Sequence, residues 1–319
     1  MMNNKKVFYF SVDVGGTDIK GGIVAGDGTI LSSTKIPTNA KSLKFDLAQS
    51  ILSLINKLEE ISGFRLIDSQ GLGIGLPGLI DCKRGVLRHS GNLRLVNYAL
   101  ISKLEKVVKV PIKIANDADV ATLAELHFGA GKDYENFLLV SIGTGIGGGA
   151  VVAGKPLSSS SNFSCEIGHM KVTDENVLCT CGKAGCFEAT ASSRALKLML
   201  QSALRENQQS KILKDFHVTE VTGKTLFDYI GKDKVADMVF NKFISKLGNG
   251  IVNLVNILSP DAVIISGAIS MQKSKLLKPL EKYVNNNIYA SNAGKKVKFE
   301  VAKETGNAGI LGAMCLFLN

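Results

Sequence analysis

Apolar residues along this chain recur with two different periods. Leu43, Leu47, Ile51, Leu54, Ile55 and Leu58 return every three or four positions, as do Val239, Phe243, Leu247, Ile251, Leu254, Val255 and Leu258. That spacing lines them up on one face of a helix. Short, nearly continuous apolar runs read instead as strands: VFYFSV (7–12), GGIVAG (21–26), GLGIGL (71–76), PIKIA (111–115), FLLVSI (137–142), GAVVAG (149–154), AVIISG (262–267) and VKFEV (297–301). Strands mixed with long helices predict an α/β protein. No extended linker separates its halves, and the only low-complexity tract is SSSS at 158–161.

Two of these runs belong to an internal repeat. FSVDVGGTDIKGGIVAG (10–26) and LVSIGTGIGGGAVVAG (139–154) share a plan: an apolar strand, a Gly/Thr turn, then a glycine-rich apolar strand ending Ala-Gly. Gly143, Gly145 and Gly148 in the second copy also spell G-x-G-x-x-G, the dinucleotide fingerprint, with Glu166 about 20 residues on as a candidate ribose-binding acid. That reading requires the glycine turn to open a helix whose N-terminus faces the phosphate. Both turns run instead into β-branched, glycine-spaced residues that form helices poorly. They predict hairpins and argue against NAD.

A Gly/Thr turn with no Cβ in the way leaves backbone N–H groups that converge on an anion. Two related turns could grip a polyphosphate from both sides, with Asp13 orienting the waters of a bound Mg²⁺. The plainer alternative is two tight hairpin turns. A second carboxylate cluster follows the strand at 111–115, where Asn116 and Asp117 stand at the entry to a helix. Residue type and position fit a helix N-cap as well as a general base, and by themselves do not separate the two.

Composition narrows the function classes. The 319 residues suffice for two domains, and at 45% hydrophobic and 21% charged the chain reads as an ordinary globular protein. The formal charge of +10 invites nucleic acid, but the lysines are dispersed and the densest region, MQKSKLLKPLEKYVNNN, has the spacing of a solvated helix face. Aromatics at 6% show no alternation with basic residues of the kind that stacks bases. The charge suits an anionic small molecule without demanding one. No apolar run has the length of a membrane span. Lys5 and Lys6 precede an apolar stretch as in a signal peptide, but Asp13 and Gly15 cut it short. The expectation is a cytoplasmic protein that binds neither membrane nor nucleic acid.

DVGGTDIKGG, NDAD, IGTGIGGG, EIGHM, CTCGKAGCFE and NAGILGAMCL stand in the order and spacing of the ROK family of sugar kinases and repressors. From about residue 7 to 318 the chain resembles that family, most specifically in H-x9-C-x-C-x4-C. The resemblance implies an actin-like, hexokinase-type fold of the ribonuclease H-like class. It implies two α/β domains, 1–121 plus 305–319 and 122–304, with a ligand cleft between them and a homodimeric assembly. It implies that Asp13, Gly15, Gly16 and Thr17 form a first phosphate loop and Thr144 and Gly145 a second, with Gly267 near the adenosine. It makes Asp117 the general base, with Asp119 a weaker rival. Gly78, Asn92, Asn116, Glu166, His169 and Glu188 match its sugar-facing positions. The chain departs from the family at Asp18, where Lys is usual, and at Ser266, where Gly is usual. Neither removes a backbone donor. SSSSNFSC before Glu166 replaces the glycines of glucose-type members and bears on sugar identity.

His169, Cys179, Cys181 and Cys186 crowd into one short segment. Three soft thiolates and one imidazole suit a closed, tetrahedral, structural Zn²⁺ site. A disulfide is disfavoured by the cytoplasmic expectation. If one ring nitrogen of His169 holds zinc, the other is left for a sugar hydroxyl. Together these readings predict an ATP-dependent sugar kinase using Mg²⁺ and carrying zinc, acting on the 6-hydroxyl of a hexose, with glucose first. N-acetylmannosamine, fructose and a β-glucoside are the alternative sugars. A sugar-responsive repressor is disfavoured, because the first strand begins by residue 7 and leaves no room for a helix-turn-helix segment.

Overall fold

The computed structural model describes residues 7–157, 165–304 and 306–318, so the serine tract lies outside the described residues. The described residues pack as two units, one of residues 7–132, 156–157, 303–304 and 306–318, the other of residues 133–155 and 165–302. The sequence expectation divided the chain at 121–122; here the division follows Lys132.

The first unit is built on β1 (Phe8–Val14), β2 (Asp18–Ala25), β3 (Ile30–Pro37), α1 (Leu47–Ser62), β4 (Leu72–Leu76), β5 (Leu79–Asp81), β6 (Val86–Ser90), β7 (Leu95–Tyr98), α2 (Leu100–Leu104), β8 (Ile112–Asn116) and α3 (Asp117–His127). Its main sheet has the order β3-β2-β1-β4-β8. β1 runs antiparallel to β2 and parallel to β4, which is parallel to β8. Helices cover both faces, so Phe10, Val12 and Ile74 are all fully buried and the central strands read as unbroken apolar runs. A small antiparallel sheet, β5-β6-β7, has no counterpart among the sequence-predicted strands. Leu47, Ile51, Leu54, Ile55 and Leu58 form the buried face of α1 as their spacing predicts. Leu43 does not join them. It is fully exposed, because Asp46 starts the helix after it by accepting the Gln49 N–H at 3.0 Å.

The second unit contains β9 (Phe137–Ile142), β10 (Ile146–Val152), α4 (Phe187–Ala191), α5 (Ser193–Glu206), α6 (Ile212–Asp215), α7 (Gly223–Tyr229), α8 (Lys234–Leu258), β12 (Ala262–Ser266), α9 (Ser274–Asn287) and β13 (Lys298–Val301), with the two-residue strand β11 (Lys155–Pro156) beside β10. The sheet order is β11-β10-β9-β12-β13, with β9-β10 antiparallel and β9, β12 and β13 parallel. This reproduces the first sheet strand for strand. The repeat seen in the sequence is therefore a repeat of topology, and both glycine turns are hairpins. Helix α10 (Ala308–Cys315) returns to the first unit and packs on β1, β4 and α3. No helix among the described residues is long and apolar enough to cross a membrane.

Candidate functional site

In the first unit the predicted residues collect where the parallel strands end. Asp13 of β1 is level with Gly75 of β4, and Leu76 of β4 is level with Asn116 of β8. Ligands bind at such carboxyl ends in open α/β sheets. The turn after β1 is closed by the Gly15 N–H donating to the Asp18 carbonyl at 2.9 Å. It is braced from below by Thr38, which the sequence reading missed. The Thr38 hydroxyl donates to the Gly15 carbonyl at 2.7 Å, and its N–H to the Thr17 carbonyl at 2.8 Å. Only a buried side chain at the end of an exposed edge strand signals it, and the sequence shows no burial. Gly16 and Thr17 remain exposed at the tip, and a Cβ on Gly16 would lie 3.9 Å from the Asn92 Cβ. Asn92 thus stands beside the turn.

Asp13 lies half-buried beneath the start of α10, where a Cβ on Gly309 would run into its carboxyl group. Burial pushes this carboxyl above the ordinary aspartate range, and the Lys20 ammonium opposes the shift. A cation would reverse that penalty, so the residue fits a metal-facing role. Asn116 is the N-cap of α3, its Oδ1 accepting the Ala118 N–H at 2.8 Å. Its amide also donates to the Gly78 carbonyl at 2.9 Å, tying β8 to the small sheet. Gly78 needs its φ of +112° there, because a Cβ would strike the His89 carbonyl. Asp117 is the first residue of α3 and is exposed, with Oδ1 accepting the Ala118 N–H at 2.9 Å. Asp119 is half-buried and close enough to raise the Cys82 thiol pKa, which burial and this charge bring to about 11.

In the second unit the turn of the β9–β10 hairpin is held on both sides by the segment that starts α4 and α5. The Gly143 carbonyl accepts the Ser193 N–H at 3.0 Å, and the Ile146 N–H donates to Glu188 Oε2 at 3.1 Å. A Cβ on Gly145 would run into that carboxylate. Thr144 projects from the same turn and is exposed. Gly267 follows β12 with φ +84°, pressed against the end of β9 at the Ile142 carbonyl. Thr144, Gly145 and Gly267 are therefore neighbours at the carboxyl ends of β9 and β12. Glu188 has further partners: it also accepts the Thr180 hydroxyl at 3.1 Å and the Cys179 thiol at 3.6 Å. Glu166 and His169 are both exposed. Glu166 has its carboxyl pushed up by partial desolvation, which His169 opposes and the Glu188 charge adds to less strongly.

His169, Cys179, Cys181 and Cys186 come together with ligand atoms all within 4.8 Å of one another, and the cysteines are unpaired. Cys181 and Cys186 Sγ are 3.7 Å apart, and Cys179 Sγ is 3.8 Å from His169 Nδ1. A tetrahedron with metal–sulfur bonds of ~2.3 Å sets its sulfurs about 3.8 Å apart. The donors and their spacing fit one metal ion. Nδ1 of His169 is the nitrogen on the cysteine side, which leaves Nε2 as the other.

The sequence profile of the ROK family matches residues 9–319. A glucokinase of Halalkalibacterium halodurans is 33% identical over 96% of this chain and 93% of its own length. A glucokinase of Thermotoga maritima is also 33% identical, over 97% of this chain and 96% of its own. Among solved structures, a ROK family glucokinase from Streptomyces griseus in complex with glucose and AMPPNP is 28% identical. It superposes with a TM-score of 0.82, covering 97% of this chain and 98% of that one.

The Asp13 carboxyl yields a prediction. Its folded pKa stands above the ordinary value near 3.8, so ionisation costs the fold stability as pH rises through that folded value. Asp13→Asn removes this cost. Its melting temperature relative to the unsubstituted protein should improve between about pH 4 and pH 7, where the unfolded aspartate is already ionised. Thermal melts of both proteins across that range check it. A difference that moves the other way means that Asp13 is stabilised as a carboxylate.

Proposed function

The chain belongs to the ROK family and has its two-domain, actin-like α/β fold, and on that premise we propose that it is an ATP-dependent sugar kinase whose substrate is glucose, phosphorylated at the 6-hydroxyl. One observation carries the mechanism. Asp13 and the start of α3 stand at the carboxyl ends of strands two places apart in one sheet. Two strand spacings amount to about 10 Å. That is room for a metal-bound phosphate over Asp13, a phosphoryl group in transit, and an acceptor hydroxyl at Asp117.

Phosphoryl transfer asks little covalent chemistry of a protein and much positioning. Asp117 accepts the proton of the 6-hydroxyl as the hydroxyl oxygen bonds to the γ-phosphorus and the bond from that phosphorus to the β–γ bridging oxygen breaks, releasing ADP. Its place in the first turn of α3 sets the carboxylate beside the positive end of the helix. Asn116 holds that first turn in place through its cap and fixes the Gly78 carbonyl through its amide. The exposed tip at Gly16 and Thr17 presents backbone donors to phosphate oxygens, while Gly15 closes the turn beneath it. A Mg²⁺ ion at Asp13 would neutralise charge on the transferred group. We assign Thr144, Gly145 and Gly267 to the nucleotide, and Asn92, Glu166, His169 and Glu188 to the sugar. The metal at the His/Cys cluster is Zn²⁺ in this reading, structural because protein ligands fill all four positions. We place the protein in the cytoplasm, and its homodimeric assembly rests on the family resemblance.

Asp117→Asn should leave the melting temperature and glucose affinity near those of the parent and lower kcat by about 10²-fold or more. Coupled-assay kinetics with calorimetric glucose binding check this. A folded variant with near-normal turnover removes Asp117 from the role. The metal reading predicts about one zinc per chain. Cys181→Ser should lose that zinc and weaken glucose binding, because His169 loses its anchor. Elemental analysis of protein purified without chelator is the measurement, and an absence of zinc in the parent protein contradicts the assignment.

A further inference from the structure

Glu125 stands near the C-terminal end of α3 with 1% of its surface exposed. A carboxylate so deeply buried persists only when its oxygens are fully used. Here they are used by backbone. Oε2 accepts the Ala130 N–H at 2.7 Å and the Lys303 N–H at 3.2 Å, and Oε1 accepts the Glu304 N–H at 2.9 Å. These three amides have a common place in the chain. The chain leaves the first unit after Lys132, and its C-terminal segment returns at Lys303. One side chain therefore stitches exit to return. Charge-assisted bonds of this kind are about twice as strong as neutral ones, so the stitch is stiff.

Both ends of the stitch lead to chemistry. Asp117 and Glu125 are the first and ninth residues of α3, about 12 Å apart along a rigid helix. On the other side the Glu304 carbonyl accepts the Ala308 N–H at 2.7 Å and so starts α10, whose Gly309 presses on Asp13. α3 and α10 pack along their length, so closely that a Cβ on Gly312 would strike the Val120 carbonyl.

We propose that Glu125 is a positioning residue: by locking the end of α3 to the root of α10, it holds the Asp117 and Asp13 carboxylates in fixed relation. It touches neither substrate nor phosphate and acts through backbone alone. The inference rests on the functional reading above for its kinetic consequence, but not for its structural one.

Two variants test it. Glu125→Gln keeps the shape but replaces one acceptor oxygen with a donor. Gly129→Ala keeps the carboxylate and pushes it off its partners, since a Cβ at 129 would run into Glu125 Oε2. Each should lower kcat by about tenfold or more, a small misplacement of reacting groups being that costly. The KM for glucose should stay within about threefold, because ground-state binding is untouched. The double variant should be no worse than the poorer single, because both remove one interaction. Amide exchange should accelerate at Ala130, Lys303, Glu304 and the first turn of α10 while β1 and β4 stay protected. If Glu125→Gln does not fold, Gly129→Ala decides alone. Fast local exchange with undiminished kcat overturns the inference, and so does a kcat loss that tracks a general loss of protection. Neither outcome bears on Asp117, whose role falls only if Asp117→Asn remains active.

Discussion

Parallel strands in one sheet finish at the same edge, and the chemistry assigned to the first unit depends on that alignment. β1, β4 and β8 end in register, so a turn after β1, a left-handed glycine after β4 and a helix after β8 open side by side. Backbone groups at such ends have no strand partner and must find side chains, water or ligand. Thr38 and Asn116 satisfy some of them from within the protein. The exposed tip at Gly16 and Thr17 is left for a ligand to meet. The second sheet repeats the strand order, and its glycine turn stands at the corresponding edge.

Glu188 shows how the second unit departs from a simple assignment of one residue to one ligand. Its carboxylate lies between the Gly145–Ile146 turn and the loop that carries Cys179 and Thr180. The turn proposed to hold phosphate and the loop proposed to hold zinc thus share a side chain. A metal held by the four donors would tie this loop together, and Glu188 links the same loop to the glycine turn.

Much of this was legible in the sequence, for identifiable reasons. Continuous apolar runs located the central strands because both sheet faces are covered, and the repeat was visible because glycine spacing survives in both hairpins. The clustering of His169 with Cys179, Cys181 and Cys186 was legible because the four lie so close together in the chain. Other features carried no local signal. The edge strand β3 is largely half-exposed, and the strands of the small sheet β5-β6-β7 are only three to five residues long, so neither period marks them. Leu43 fits the helical period but precedes the cap that starts the helix. Glu125 looks like a solvated helix residue until residues 303 and 304, far along the chain, fold onto it.

The central claim is that the residues gathered at these strand ends transfer the γ-phosphate of ATP to the 6-hydroxyl of glucose. The side chain of Leu79, which directly follows Gly78, has no hydrogen-bond donor for an acetamido group. The most direct measurement gives the unsubstituted protein ATP, Mg²⁺ and equal amounts of glucose and N-acetylmannosamine, and reads the products by phosphorus–carbon NMR. Glucose 6-phosphate, with phosphorus coupled to C6, should dominate. Phosphorylation at another carbon, preference for N-acetylmannosamine, or hydrolysis of ATP with no sugar phosphate would contradict the account.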